Sequence, residues 1–263
     1  LRPVRSVFQP RVTLLNKMDA YLIFSNDNIW SEIWPELSLA LGALFVLGLD
    51  LFRKPGSSSS LCGQVAIILQ AILLSVHLFD YLAWHHTFDR DTFSGMLKQG
   101  IQGDVMRSFF LFSSLLVSIL GHQYLKDKSL RSGEFHHLTM LATAGLMLLC
   151  QSNNFVMLFV SLETVAICFY TLVAYNRNSS KSLEAGIKYL IFGALSSSLL
   201  LFGIVLLYGV ASSPDAWGAV YHGAEGQDPL GFRYLGDLIL ENPEHLLLRT
   251  GVVLIISGIA FKI

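Results

Sequence analysis

The run NNFVMLFVSLETVAICFYTLVAYNRN, residues 153–178, sets the tightest limit on what this chain can fold into. A bilayer core is about 30 Å thick and an α-helix rises about 1.5 Å per residue, so about 20 apolar residues in a row cross it. The apolar part of this run, about 154–175, has that length. Six other segments share its character: about 35–52, 63–84, 106–125, 137–151, 183–209 and 247–263. Of the 263 residues, 53% are hydrophobic and 14% charged, where an ordinary soluble domain has about 25% charged residues. The expected fold class is therefore all-α: a polytopic bundle of about seven transmembrane helices. It occupies 35–263, behind an N-terminal tail at 1–34.

The loops between the runs carry an ordered charge pattern. Arg53 and Lys54, then Lys126, Lys128 and Arg131, then Arg177 and Lys181 fall in alternate connections. The intervening loops are acidic, with Asp89, Asp91 and Asp104 in one and Asp215, Glu225, Asp228, Asp237, Glu241 and Glu244 in the other. The positive-inside rule makes the basic set cytoplasmic and the N-terminus external. Within the second acidic loop, DPLGFRYLGDLILENPEHLLLR suits a short amphipathic helix on the membrane surface. Residues 1–17 hold three Arg and one Lys with no acid, and Met18 stands directly before a second plausible start, so this stretch is expected to lie outside the native protein.

A net charge of −1 supplies no field for nucleic acid, and no partner of that kind is expected. Cys62, Cys150 and Cys168 are scattered without C-x-x-C spacing, which argues against a disulfide framework, a zinc site or an iron–sulfur site. His77 lies within the second run, and His122, His136 and His137 lie near the ends of the third and fourth. A haem held between helices is one reading of these histidines. The preferred one is a buried, hydrogen-bonded His77 with the others at the interface.

Three charges inside the runs carry the chemistry. Glu163 sits about nine residues into its helix, roughly 13 Å deep by the helical rise, where an acid costs on the order of 2.5–3.5 kcal/mol on insertion scales. It reads either as a protonated acid bonded to a neighbouring helix or, the preferred reading, as an ionisable relay group facing a partner charge or a wet cavity. Lys188 follows Glu184 at i+4 in SLEAGIKY, with Ser182 as the expected N-cap and Glu184 in the first turn. Lys188 is close enough to the helix start to snorkel outward. Gly193, Ala194, Ser196, Ser197 and Ser198 form a small-residue stretch whose expected role is helix packing. Lys262 comes about 15 residues after Leu247. Burial disfavours a charged lysine and a nearby carboxylate favours it, so Lys262 can take up or release a proton according to whether a partner such as Glu163 is within reach.

The stretch LFVSLETVAICFYTLVAYNRNSSKSLEAGIKYLIFGALSSSLLLFGIVLLYG resembles the fifth and sixth helices of the antiporter-like N subunit of proton-pumping NADH:quinone oxidoreductase, respiratory complex I, whose mitochondrial counterpart is subunit 2. WPELSLALGALFVLGLDLF resembles that subunit's opening helix, and LIISGIAFKI its seventh helix up to the lysine. The resemblance implies that Glu163, Lys188 and Lys262 form a proton path, with Glu184 supporting. It implies a seventh helix broken near its lysine, for which Gly258 is a compatible position. NAD, FMN, iron–sulfur clusters and quinone are then expected in partner subunits of the complex, and the location is a bacterial inner membrane. Two other readings remain: a stand-alone cation/proton antiporter subunit, and a structural assembly piece without an ion path. The family's subunits are about twice this length, so the natural chain is expected to continue beyond Ile263.

Overall fold

In a computed structural model, residues 30–52, 60–83, 90–127, 132–221 and 228–262 are described. The readings for residues 1–17, for Arg53 and Lys54, for Lys128 and Arg131, for Asp89 and Glu225, and for the chain end at Ile263 lie outside them. Each of the seven runs forms a helix: α1 (Trp34–Leu51), α2 (Ser60–Ala83), α3 (Ile101–Asp127), α4 (Ser132–Gln151), α5 (Phe155–Val173), α6 (Ser180–Ala211) and α8 (Leu246–Lys262). The amphipathic segment forms α7 (Phe232–Glu241). Five of the helices, α1, α2, α3, α5 and α6, are long and apolar enough to cross a membrane. The other two do not reach that limit over the described residues. Helix α4 has 20 residues, more than its apolar run suggests, but it carries polar groups into the centre of the bundle. Helix α8 has 17 residues.

Two apolar cores organise the packing. Leu39, Ala43, Val46, Ala66, Leu111, Met140 and Met147 knit α1–α4 together, with α4 at the centre. Leu200, Ile204, Leu207, Leu235, Leu238, Leu248 and Ile255 join α6, α7 and α8, and Phe155, Leu158 and Leu162 of α5 pack against that second core. Helix α5 therefore bridges the two halves.

Helix α7 differs from the expectation of a surface-lying helix. Its Tyr234, Leu235 and Leu238 are buried against protein rather than turned to lipid. The cause is a set of short tethers: Tyr234 Oη donates to the Ala211 carbonyl at 2.9 Å, Phe155 N to Leu230 O at 3.0 Å, and Phe232 N to Asn153 O at 3.1 Å. Strands β1 (Arg90–Thr92) and β2 (Leu97–Gln99) form a small antiparallel hairpin that the all-helical reading lacks. Its turn holds Phe93 and Ser94 at φ of 54° and 55°, a region that side-chain-bearing residues seldom adopt. Asn153 secures it, donating from its backbone to Met96 O at 2.9 Å and from its side chain to Gly95 O at 3.1 Å.

The hairpin delivers Gln99 to a buried polar cluster. Arg107 donates to Glu36 Oε1 at 2.7 Å, to Asp104 Oδ1 at 3.0 Å, to the Glu32 carbonyl at 2.9 Å and to Gln151. Gln151 in turn donates to Glu36 at 2.5 Å and accepts from Gln99 at 2.7 Å. Two carboxylates share one guanidinium, and all five side chains are buried. Asp104, expected in an acidic loop, instead begins α3 and belongs to this cluster. Removing one partner of a buried ion pair leaves an uncompensated charge and costs about 3–5 kcal/mol. Arg107→Ala should therefore lower the thermal stability of the complete subunit by about that much, read as an earlier melting transition in detergent. Arg177→Ala breaks an exposed pair with Glu134 and should change stability by about 1 kcal/mol or less.

Candidate functional site

The site forms where α5, α6 and α8 meet. Asn154 caps α5, its side chain accepting from Val156 N at 2.6 Å, and nine residues later Glu163 lies roughly 13 Å along the helix. Helices α6 and α8 run antiparallel at close range, because glycine leaves room for backbone to meet backbone. A Cβ on Gly203 would stand 2.7 Å from Gly251 O, and one on Gly258 2.7 Å from Leu200 N. Ser196 Oγ also donates to the Gly258 carbonyl at 2.6 Å, tying the two helices at the same level.

That approach brings together residues far apart in the chain. Lys262 Nζ lies 2.5 Å from Glu163 Oε1, and Ser197 Oγ lies 2.5 Å from the same oxygen. The pair is mostly enclosed, with side-chain exposures of 14% for Lys262 and 25% for Glu163. Ser197 Oγ is also 2.9 Å from its own helix's Gly193 carbonyl. A hydroxyl has one proton to give, so Ser197 donates to an ionised Glu163. If Glu163 takes up a proton, Ser197 can accept from it and donate to Gly193 O instead. Tyr170 of α5 fills the notch over Gly193, where a Cβ would meet the phenol ring.

The sequence-derived site residues separate into two groups. Glu163 and Lys262 meet; Glu184 and Lys188 do not join them. Lys188 pairs with Glu184 at 2.5 Å on the open face of α6, with side-chain exposures of 67% and 64%. Nine residues separate Lys188 from Ser197, about two and a half turns, so the two project from opposite sides of α6. The expected cap also shifts. Helix α6 starts at Ser180, Ser179 is its N-cap, accepting from Ser182 N at 3.4 Å, and Glu184 lies past the first turn. Ser182 is drawn away to donate to the Val173 carbonyl at 2.8 Å.

Ser197 is the residue that the apolar pattern conceals. In a small-residue stretch a serine reads as packing, and Ser198 indeed bonds only within its own helix, to Ala194 O at 2.8 Å. Ser196 and Ser197 instead face α8 and α5. The break expected near Gly258 is not present: α8 is continuous through it to Lys262. Gly258 is explained by contact with Leu200. Among the histidines, His77 is buried with Nε2 3.3 Å from Asp104 O, and His137 Nδ1 lies 2.9 Å from Ala43 O. His136, expected at the interface, is fully buried because α4 is wrapped by its neighbours. None of the three cysteines forms a disulfide.

The fold is that of a polytopic helical membrane protein. Residues 152–263 match the family described as NADH:quinone oxidoreductase/Mrp antiporter, TM. Over 238 residues the chain is 47% identical to NADH-quinone oxidoreductase subunit N 1 of Opitutus terrae, covering 90% of this chain and 45% of that one. The chain is similar to the N subunits of NADH-quinone oxidoreductases. The chain spans less than half the length of the curated relatives it matches. Two solved structures share its fold. One is the membrane-bound sulfane sulfur reductase, an archaeal respiratory membrane complex, with TM-score 0.63, 22% identity, and coverage of 86% of this chain and 43% of that one. The other is respiratory complex I from Thermus thermophilus, with TM-score 0.52, 23% identity, and coverage of 87% and 52%.

The helix contact under the site is directly testable. Gly258→Ala pushes a methyl into the Leu200 backbone and should destabilise the complete subunit by about 1–3 kcal/mol, the range for overpacking. Gly209→Ala adds its Cβ where nothing lies within 4 Å and should leave the melting transition unchanged or slightly higher. Equal melting temperatures for the two variants would contradict the close α6–α8 contact.

Proposed function

We propose that this chain contributes to proton translocation in the membrane arm of an NADH:quinone oxidoreductase in a bacterial inner membrane. The carrying observation is the 2.5 Å contact between Glu163 and Lys262, which joins α5 to α8 across 99 residues of sequence inside a membrane protein. An enclosed acid and base in contact need no structural excuse if their separation is what moves a proton. The contact holds an acid of α5 against a base of α8, so movement of one helix against the other changes which groups each of them can exchange a proton with. The energy scale is adequate: a tenfold change in a proton equilibrium needs only about 1.4 kcal/mol, which a few ångströms of ion-pair movement supplies in an interior of low dielectric. Ser197 is suited to follow Glu163 between its two protonation states by turning its hydroxyl.

In this reading redox work is done in partner subunits of the complex, which hold NAD, FMN, the iron–sulfur clusters and quinone. This chain binds none of them and senses their turnover through helix movement. Lys188, on the outer face of α6, supplies a further step toward the cytoplasmic side with Glu184 beside it. Because the matched family includes Mrp antiporters, a stand-alone cation/proton antiporter subunit is the second reading. Co-purification of the complete subunit with quinone-reducing partners separates the two.

In the complete subunit within its assembled complex, Glu163→Gln should lower proton pumping in reconstituted vesicles several-fold while leaving assembly intact. Undiminished pumping would remove the relay role. Lys188→Ala should impair coupled activity more than Lys181→Ala, measured as the proton gradient formed per NADH oxidised. Equal, negligible effects would leave Lys188 as a surface residue.

A further inference from the structure

A second polar seam lies away from the Glu163–Lys262 site, between α2, α3 and α4. Nine buried side-chain nitrogen and oxygen atoms among the described residues have no hydrogen-bond partner, and five are in this seam: Nδ1 and Nε2 of His136, Nδ1 of His122, Oγ of Ser118 and Oε1 of Gln70. Buried polar groups are normally partnered, by protein or by ordered water, so five orphans in one place require an account.

Their arrangement supplies it for four of the five. The rings of His122 and His136 have centroids 6.0 Å apart and are tilted at 42° to each other. Gly63 of α2 sits against both: the point where its Cβ would stand is 2.2 Å from His122 Nδ1 and 2.8 Å from His136 Nε2. The two nitrogens are thus at most about 5 Å apart, the span that one water bridges with two hydrogen bonds of roughly 2.8 Å. Ser118 is one helical turn from His122, and Ser114 one turn further, on the same face of α3. Ser114 Oγ accepts from Gln70 Nε2 at 3.2 Å and from Thr143 Oγ1 at 2.8 Å, leaving Gln70 Oε1 as the last orphan. From His122 to Ser114 the file is roughly 12 Å long. Beyond it the buried Leu111 and Met147 stand between this file and the Arg107 cluster.

We propose that this seam is an internal water-binding site: a blind-ended file of ordered waters, the first bridging His122 Nδ1 and His136 Nε2, the next serving Ser118 and Gln70. Water fits because it alone offers donors and acceptors to both, matching either imidazole tautomer and the serine and amide at once. No third histidine, cysteine or carboxylate stands with the pair to make a metal site among the described residues. Asp50 of α1, toward this end, lies against Gly133 and Cys62.

The test is electron cryomicroscopy of the complete assembled complex at a resolution that shows waters. Density between His122 and His136 and beside Ser118 is expected. A dry seam, or imidazoles bonded to each other or to other side chains, overturns the proposal. Gly63→Ala pushes a methyl against both ring nitrogens, forces the two imidazoles to shift and should abolish the first water. Ser118→Ala should abolish the second while sparing the first, which keeps the site testable if Gly63→Ala does not assemble. Waters unchanged in Ser118→Ala would equally refute the file.

Discussion

The approach of α6 to α8 governs the rest of the molecule. At Gly203 and Gly251, and again at Leu200 and Gly258, the two backbones pass so closely that a single methyl group would not fit. Without a hydrophobic drive between helices in lipid, packing of this kind and hydrogen bonds such as Ser196 to Gly258 O hold segments together. One turn after Gly258 comes Lys262, and one residue after Ser196 comes Ser197. The contact that closes the helices therefore also sets the lysine and the hydroxyl against Glu163. Site geometry here is a by-product of backbone proximity.

The bundle divides its polar residues by how completely they are satisfied. At one end, Arg107 gathers Glu36, Asp104, Gln151 and a backbone carbonyl into a closed network, and the hairpin and α7 are tied to the same end by backbone bonds. A buried network of this kind resists change, because breaking any member strands the others. Glu163 and Lys262 have fewer partners and partial exposure. One region is thus built to stay fixed, while the other keeps an interaction that can be exchanged.

Much of this was legible in the sequence, and the reasons for the remainder are specific. The apolar runs located all seven helices, since length and hydrophobicity report directly on what lipid requires. Glu163 and Lys262 stood out because charge in such a run is costly. Glu36 and Arg107 did not, because they lie near helix ends where charge is ordinary; only the fold reveals that those ends are covered. The hairpin has three residues per strand, too few for any alternation to register. Ser197 was hidden by its neighbours, since a serine beside small residues gives no sign of which helix it faces. Lys188 matched its motif yet sits on the open face of α6, because a motif specifies position along a helix and the packing of other segments decides what that position meets.

Helix α6 has 32 residues, and so extends roughly 48 Å, against a hydrocarbon thickness of about 30 Å. Such a mismatch is relieved by tilting or by projection beyond the hydrocarbon. If the excess lies at the start of α6, its first turns stand among lipid headgroups, and Glu184 and Lys188 meet water and phosphate rather than acyl chains. If α6 tilts instead, the same pair is drawn toward the oily interior while the Gly258 contact stays fixed as a pivot. The surroundings of Lys188 then follow the tilt of α6, while the Gly258 contact keeps the Glu163–Lys262 pair in place.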